Sequence, residues 1–330
     1  MSRDRIFQGA IVALAVAVLA IQLPSCGGGG SSSTAAPAGV TRGVVTGFGS
    51  IFVNGVEYIT DTNTIRRDLD SGTSDIPGLD NEVFRVGMVV EVRHGAGDNN
   101  ATQIDYRDNL EGPVSGLAGG NFTVLGIPVV TDNTTVIQLD GGAALADGAI
   151  AEVSGLPDNA GVLHATFVEI KPAGSVTVFE LKGYVAANNL GTDNTFTLGI
   201  VPNSAGSVTV RVDTATVFDM TGGRSGLSVG SFVEVKTTSV AAPLLATAVE
   251  AEGPETESPE GAKVSIEGYP SNINATAKTF TLMGLSVMAG GAVTYESPMT
   301  GFADITTVTK IEVHGAMSGG TLTAEQIGPR

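Results

Sequence analysis

Self-similarity at a period of roughly 60 to 75 residues constrains this chain more than any single residue does. The segment Ile51-Phe52-Val53-Asn54-Gly55-Val56 returns as Phe122-Thr123-Val124-Leu125-Gly126-Ile127. It returns again as Phe196-Thr197-Leu198-Gly199-Ile200, one residue shorter, and as Phe280-Thr281-Leu282-Met283-Gly284-Leu285. Farther along each copy a Glu stands between apolar residues: Val90-Glu91-Val92, Ala151-Glu152-Val153, Val233-Glu234-Val235 and Ile311-Glu312-Val313. An Ala beside a Thr then opens a closing segment, at Ala101-Thr102, Ala165-Thr166, Ala246-Thr247 and Thr323-Ala324. Each copy begins on a glycine, at Gly43-Val44-Val45, Gly112-Pro113-Val114, Gly183-Tyr184-Val185 and Gly268-Tyr269-Pro270.

Alternation of apolar and polar residues, with 45 glycines as punctuation, reads as many short strands and turns. In Val-Glu-Val the two apolar side chains share one face and the Glu takes the other. Because the four glutamates fall in separate units, we read them as solvent-side spacers rather than a ligand set. Phe122, Phe196 and Phe280, with Ile51 in the first unit, read as core rather than a stacking platform. About five strands per unit predict an all-β chain of four tandem small five-stranded OB-like barrels; tandem Ig-like β-sandwiches are the alternative. Units of this size are marginal alone, so neighbours are expected to pack on one another. Composition sets the boundaries: repeats at 41–111, 112–172 and 173–252, an acidic Pro-rich linker at 253–263, and a fourth repeat at 264–330. That linker suggests a fourth unit able to move separately.

The order of these motifs resembles a bacterial family of unknown function, DUF family 5666. Its members read glycine-x-valine, then Phe-x-Val-x-Gly-Val, Gly-x-x-Val-Glu-Val and Leu-x-Ala-Thr-x-Ile-Glu. The last motif stands here as Leu163-His164-Ala165-Thr166-Phe167-Val168-Glu169 and Leu245-Ala246-Thr247-Ala248-Val249-Glu250. The likeness covers nearly all of the chain after its first 40 residues, is clearest in the second and third units, and implies no activity.

Before the repeats, a charged start (Met1 to Arg5) and an uncharged run from Ile6 to Leu23 have the layout of a secretory signal peptide, assigned to residues 1–25. Leu23-Pro24-Ser25-Cys26 resembles the lipobox of bacterial lipoproteins, which implies lipidation of Cys26, the chain's single cysteine, and cleavage before it. Residues 26–40 then form a lipidated Cys and a Gly/Ser linker too poor in apolar surface to fold. Gly27 stands where an aspartate commonly retains such lipoproteins in the inner membrane, so the resemblance implies an outer-membrane lipoprotein that meets the membrane through its anchor.

The chain carries 34 acidic against 17 basic residues, a net charge of −17, which disfavours nucleic acid because binding phosphates requires Lys and Arg. His94, His164 and His314 fall in different units without metal-ligand spacing, and no nucleophile elbow or phosphate loop is present. No cofactor is expected. The acidic insertion of unit one offers Asp68, Asp70 and Asp75 as weak calcium candidates, although it lacks the spacing and terminal Glu of an EF-hand; a solvated loop is the other reading. These features favour a non-catalytic envelope protein whose repeats are interaction or spacer modules. A module binding an envelope glycan or peptide, with Tyr184 and Tyr269 contributing, is the alternative, and a hydrolase using paired carboxylates the third reading.

Overall fold

A residue followed by Gly between two short apolar runs suits a two-residue hairpin, because the turn matching the strands' twist needs positive φ at both central positions. The computed structural model describes residues 38–70, 75–95, 97–202, 206–252 and 258–330. It has this turn in three repeats, at Asn54-Gly55 (φ 52° and 79°), Leu125-Gly126 (50° and 89°) and Met283-Gly284 (48° and 81°). The third repeat, one residue short in this motif, joins the same two strands by a longer loop.

Repeat one runs β1 (Gly39–Phe48), β2 (Ile51–Val53), β3 (Val56–Tyr58), β4 (Ile65–Asp68), a one-turn helix α1 (Asp80–Val83), β5 (Val89–His94) and β6 (Ala101–Tyr106). Repeat two runs β7 (Leu110–Ala118), β8 (Asn121–Val124), β9 (Ile127–Val130), β10 (Val136–Leu139), β11 (Ile150–Pro157) and β12 (Leu163–Ile170). Repeat three runs β13 (Phe179–Asn189), β14 (Thr195–Gly199), β15 (Ser207–Arg211), β16 (Val217–Asp219), β17 (Phe232–Thr237) and β18 (Leu244–Ala251). Repeat four runs β19 (Lys263–Gly268), β20 (Pro270–Asn274), β21 (Thr279–Leu282), β22 (Leu285–Met288), β23 (Thr294–Tyr295), β24 (Ile311–Ser318) and β25 (Thr321–Pro329).

Within a repeat the hydrogen bonds follow one circuit. In repeat two they pass from β7 to β8, β9, β12 and β11 and back to β7, with β10 lying parallel beside β12. Repeat three does the same through β13, β14, β15, β18 and β17, with β16 beside β18. The circuits are not separate. Strand β1 pairs in parallel with β19, Gly39 opposite Lys263 through Arg42 opposite Ile266, and β7 pairs antiparallel with β13. Two continuous sheets result, one of 13 strands from repeats one and four and one of 12 strands from repeats two and three.

The all-β expectation holds, but neither the four closed OB-like barrels nor the Ig-like sandwiches form. The chain is a β-solenoid of stacked coils, each repeat one coil, with strands hydrogen-bonded from coil to coil. The physical reason lies in the long Gly-led strands. The second half of β1 pairs with β2, while its first half is flanked by β5 on one side and β19 on the other. Backbone groups along the first half of the long strand, which β2 does not reach, are satisfied by the neighbouring repeat. Nor does repeat four stand apart as a separately moving unit, since β19 is locked to β1.

The apolar cores cross the same boundaries. One cluster joins repeats two and three, from Leu110 and Phe122 to Phe196 and Val249. A second gathers repeat four around Val40, Val89 and Leu156, and a third seats Phe167 of repeat two in repeat one. Ile51, Phe122, Phe196 and Phe280 are all buried, as their pattern predicts.

Gly87, Gly148 and Gly230 occupy equivalent positions, four residues before each Glu, with φ of 95°, 84° and 89°. A Cβ on Gly87 would lie 2.4 Å from the carbonyl oxygen of Thr166 in repeat two, whereas nothing lies within 4 Å of one on Gly148 or Gly230. Gly230→Ala should therefore carry only the backbone strain, about 1 kcal/mol. Gly87→Ala adds an inter-repeat clash, and its loss in urea denaturation should exceed that of Gly230→Ala by roughly 2 kcal/mol.

Candidate functional site

Two charged positions recur in every repeat and a third in the first three. The residue before the leading Gly is charged, as Arg42, Glu111, Lys182 and Glu267, and it lies directly opposite the Glu of Val-Glu-Val. The pairs are Arg42 with Glu91, Glu111 with Glu152, Lys182 with Glu234 and Glu267 with Glu312. In the first three repeats the row continues to an acid on the closing strand, Asp105, Glu169 and Glu250. The glutamates are not the solvent-side spacers that alternation suggests. Glu234 is 4% exposed and Glu312 1%, because the polar face of one repeat is covered by groups from another.

The most enclosed part of this system surrounds Lys182, whose side chain is 2% exposed. Its Nζ lies 2.5 Å from Asp108 Oδ1 and 2.8 Å from Asp70 Oδ1, both contributed by repeat one. Glu234 follows at 3.5 Å and Glu180 at 3.7 Å, so carboxylates from neighbouring coils converge on one ammonium. Burial alone would discharge the lysine, but Asp108, Asp70 and Glu234 more than offset it and push its pKa well up. Asp70, Asp108 and Glu180 bring oxygens within 4.8 Å of one another, a spacing that would suit a metal, yet the lysine already supplies the positive charge among them.

Beside this cage runs a ladder of directly opposed residues across six strands: Lys236, Glu180, Glu111, Glu152, Glu169 and Gln138, on β17, β13, β7, β11, β12 and β10. Lys171 Nζ bridges Glu152 Oε2 at 2.5 Å and Glu169 Oε2 at 2.7 Å, and Tyr106 of repeat one donates its hydroxyl to Glu152 Oε1 at 2.7 Å. Lys236 Nζ lies 3.2 Å from Glu250 and 3.9 Å from Glu180, and Arg107 pairs with Glu252 at 3.1 Å. Burial, with Glu152 adding repulsion, pushes Glu111 up to about 7; burial and a hydrogen bond to Glu234 push Glu180 up to about 8. Acids that titrate near neutrality are the material of proton-transfer catalysis, but ion-pair networks that only hold structure perturb them equally.

At the contact of repeats one and four, Glu312 accepts from Ser265 Oγ at 2.5 Å, Arg330 Nε at 2.7 Å and, across the boundary, Asn54 Nδ2 at 3.2 Å. Burial would raise its pKa, but the bonds from His314, Ser265 and Arg330 hold it at about 2.

Of the residues singled out by sequence, Cys26 lies outside the described residues. Asp68, Asp70 and Asp75 do not converge. Asp70 turns to Lys182 and to the backbone N of Asp108 (2.7 Å), Asp68 Oδ1 accepts from the backbone N of Asp70 at 3.2 Å, and exposed Asp75 lines a cleft. The histidines are also apart: His94 against Tyr58, His164 stacked on Tyr269 at 4.4 Å, and His314 beside Glu312. Tyr184 packs on Phe232, so both tyrosines considered for a glycan surface have ring neighbours. Motif reading passes over Lys182 and Glu180, although Glu180-Leu181-Lys182-Gly183 shows the signal, two charges on one face directly before the leading glycine.

A cleft of about 930 Å³ opens in repeat one between the β1–β2 turn, the loop at 60–64 and the segment 75–81. Arg66 anchors its floor, with Nε 2.6 Å from Asp80 Oδ1, while Thr60 Oγ1 donates to Asp80 Oδ2 at 2.6 Å. Phe48, Ile76, Pro77 and Leu79 give it an apolar side. Repeat three has a shallower cleft of about 530 Å³ at the equivalent place, between the β13–β14 turn and the short helical turn before β17.

Two substitutions test the polar system. Lys182→Met should cost about 3 to 5 kcal/mol in urea denaturation by stranding buried carboxylates, and combining it with Asp108→Leu should recover part of that loss. Glu312, held below its ordinary 4.5, stabilises fully above that pH and loses its contribution as the pH falls toward about 2. Glu312→Gln should flatten the fall in Tm across that window.

The sequence pattern of the family described as Domain of unknown function (DUF5666) matches residues 40–105, 111–169 and 182–250, the first three coils. No curated protein matches the chain. The fourth coil, beyond the matched residues, repeats the strand order and the opposed pair Glu267–Glu312. With more than half of its length matched, the chain belongs to the DUF5666 family.

Proposed function

We propose that the chain is a non-catalytic, lipid-anchored protein of the cell envelope whose repeated β units serve as an interaction or spacer array. The observation that carries this reading is the Lys182 cage, where one ammonium ties carboxylates of repeats one and three together beside the β7·β13 junction of repeats two and three. A chain that commits its buried charges to holding repeats against one another is suited to presenting surfaces at fixed spacing. The leader at 1–25, a lipidated Cys26 and the Gly/Ser tether to residue 40 would hang it from the outer membrane. Cys26→Ala should abolish fatty-acid labelling and release the protein from the membrane fraction; unchanged retention would defeat the anchor.

The repeat-one cleft favours a second reading, a module that binds an envelope glycan or peptide. Its volume lies in the range of small-ligand sites, and it combines an apolar side with hydroxyls and carboxylates. A thermal-shift panel of envelope glycans and peptides tests it, since a ligand bound to the folded state raises Tm. Leu79, 66% exposed at the rim, supplies the control. Leu79→Asp should leave the unliganded Tm unchanged and remove any shift, whereas a panel without a shift favours the spacer.

A further inference from the structure

Strands β7 and β13 meet over only two residue pairs, Leu110 with Leu181 and Glu111 with Glu180. Leu110 and Leu181 are fully buried, so this short ladder also closes the shared core of repeats two and three. Placing two glutamates opposite each other at such a junction is destabilising if both are charged. Nearby lysines offset this only in part. Glu111 faces Glu152 on β11, Lys171 after β12, Lys182 on its partner strand and Asp70 of repeat one. Glu180 faces Glu234 and Lys236 on β17 and Lys182 on its own strand. The cations have nearer partners: Lys171 holds Glu152 and Glu169, Lys182 lies closer to Asp108 and Asp70 than to Glu180 at 3.7 Å, and Lys236 lies closer to Glu250 than to Glu180 at 3.9 Å. Among the described residues no ion pair reaches Glu111. Glu234 brings a further carboxyl group against Glu180 and raises its titration more.

We infer that the junction of repeats two and three is a proton-operated clasp, closed while Glu111 and Glu180 hold protons and loosened when both release them to water. Loosening means separation of the β7·β13 ladder and entry of water over Leu110 and Leu181, without unfolding of either coil, since β7 and β13 keep their own partners β11 and β17. The sign follows from the raised titrations. Both acids bind their protons more tightly folded than unfolded, with folded values of about 7 and about 8 against an ordinary 4.5. Their contribution is complete below the ordinary value and is lost as the pH rises through the folded ones.

Hydrogen exchange of the full chain, read by mass spectrometry and corrected for the intrinsic pH dependence of exchange, tests the clasp. Between about pH 5 and about pH 8.5, protection of the amides at 110–112 and 180–185 should fall by about tenfold or more, while β24 and β25 hold theirs. Glu111→Gln with Glu180→Gln keeps a hydrogen-bonding group in place of the acid and should make protection at the junction independent of pH. Flat protection in the wild type overturns the clasp. So does an equal fall in the double variant, which would assign the titration to another group such as His164. Should the double variant misfold, infrared detection of protonated carboxyl groups in the wild type decides: they must be present near pH 6 and lost by about pH 8.5.

Discussion

A lysine ammonium taken out of water needs opposite charge close by, and Lys182 draws that charge from more than one coil. Its nearest carboxylates, Asp108 and Asp70, come from repeat one, and Glu234 comes from the strand beside its own. The contact is satisfied only when repeats one and three take up their observed places. Apolar packing alone does not distinguish near-identical repeats, because each offers the same face of Phe, Val and Leu. Charge does. Repeats one and three carry a cation before the leading glycine, Arg42 and Lys182, whereas repeats two and four carry Glu111 and Glu267. Lys310 pairs with Glu267 itself, whereas Lys171 sits on Glu152 and Glu169 beside Glu111. Mismatched docking would oppose like charges, which is how a repeated core acquires a specific order of neighbours.

The same system explains how acids with such different titrations coexist in one protein. Glu312 receives bonds from Ser265, Asn54 and Arg330 and is stabilised as an anion. Glu111 meets mainly burial and another glutamate, and is stabilised as an acid. Both stand in the same transverse row of their repeats, so the difference comes from the side chains set around each, Ser265, His314 and Arg330 about Glu312 and Glu152 beside Glu111.

Side-chain pattern makes much of this fold legible. The recurring Phe-x-Val-x-Gly motif marks a buried strand and a hairpin, and Asn54-Gly55, Leu125-Gly126 and Met283-Gly284 turn as it requires. Alternation puts Glu152 and Glu234 on the face opposite the valines. It does not say that another coil covers that face, because period-two patterning reports a side, not what lies beyond it. For the same reason the closed barrels fail: spare backbone hydrogen bonds along the first halves of β1 and β7 leave no trace in side-chain pattern. The repeat-one cleft is invisible in sequence because Phe48, Asp61 and Leu79 belong to three separate loops. The acidic insertion marks Asp70 as a group seeking a cation, and the fold sets against it a lysine, Lys182, from a different repeat.

The pairing of β1 with β19 puts the first repeat directly against the last. An open array could gain or lose a member at its end with little effect elsewhere. Here an extra coil inserted after the third would have to part Gly39–Arg42 from Lys263–Ile266 or bulge out of the stack. The first repeat is thus tied to the fourth as firmly as to the repeat that follows it in the chain.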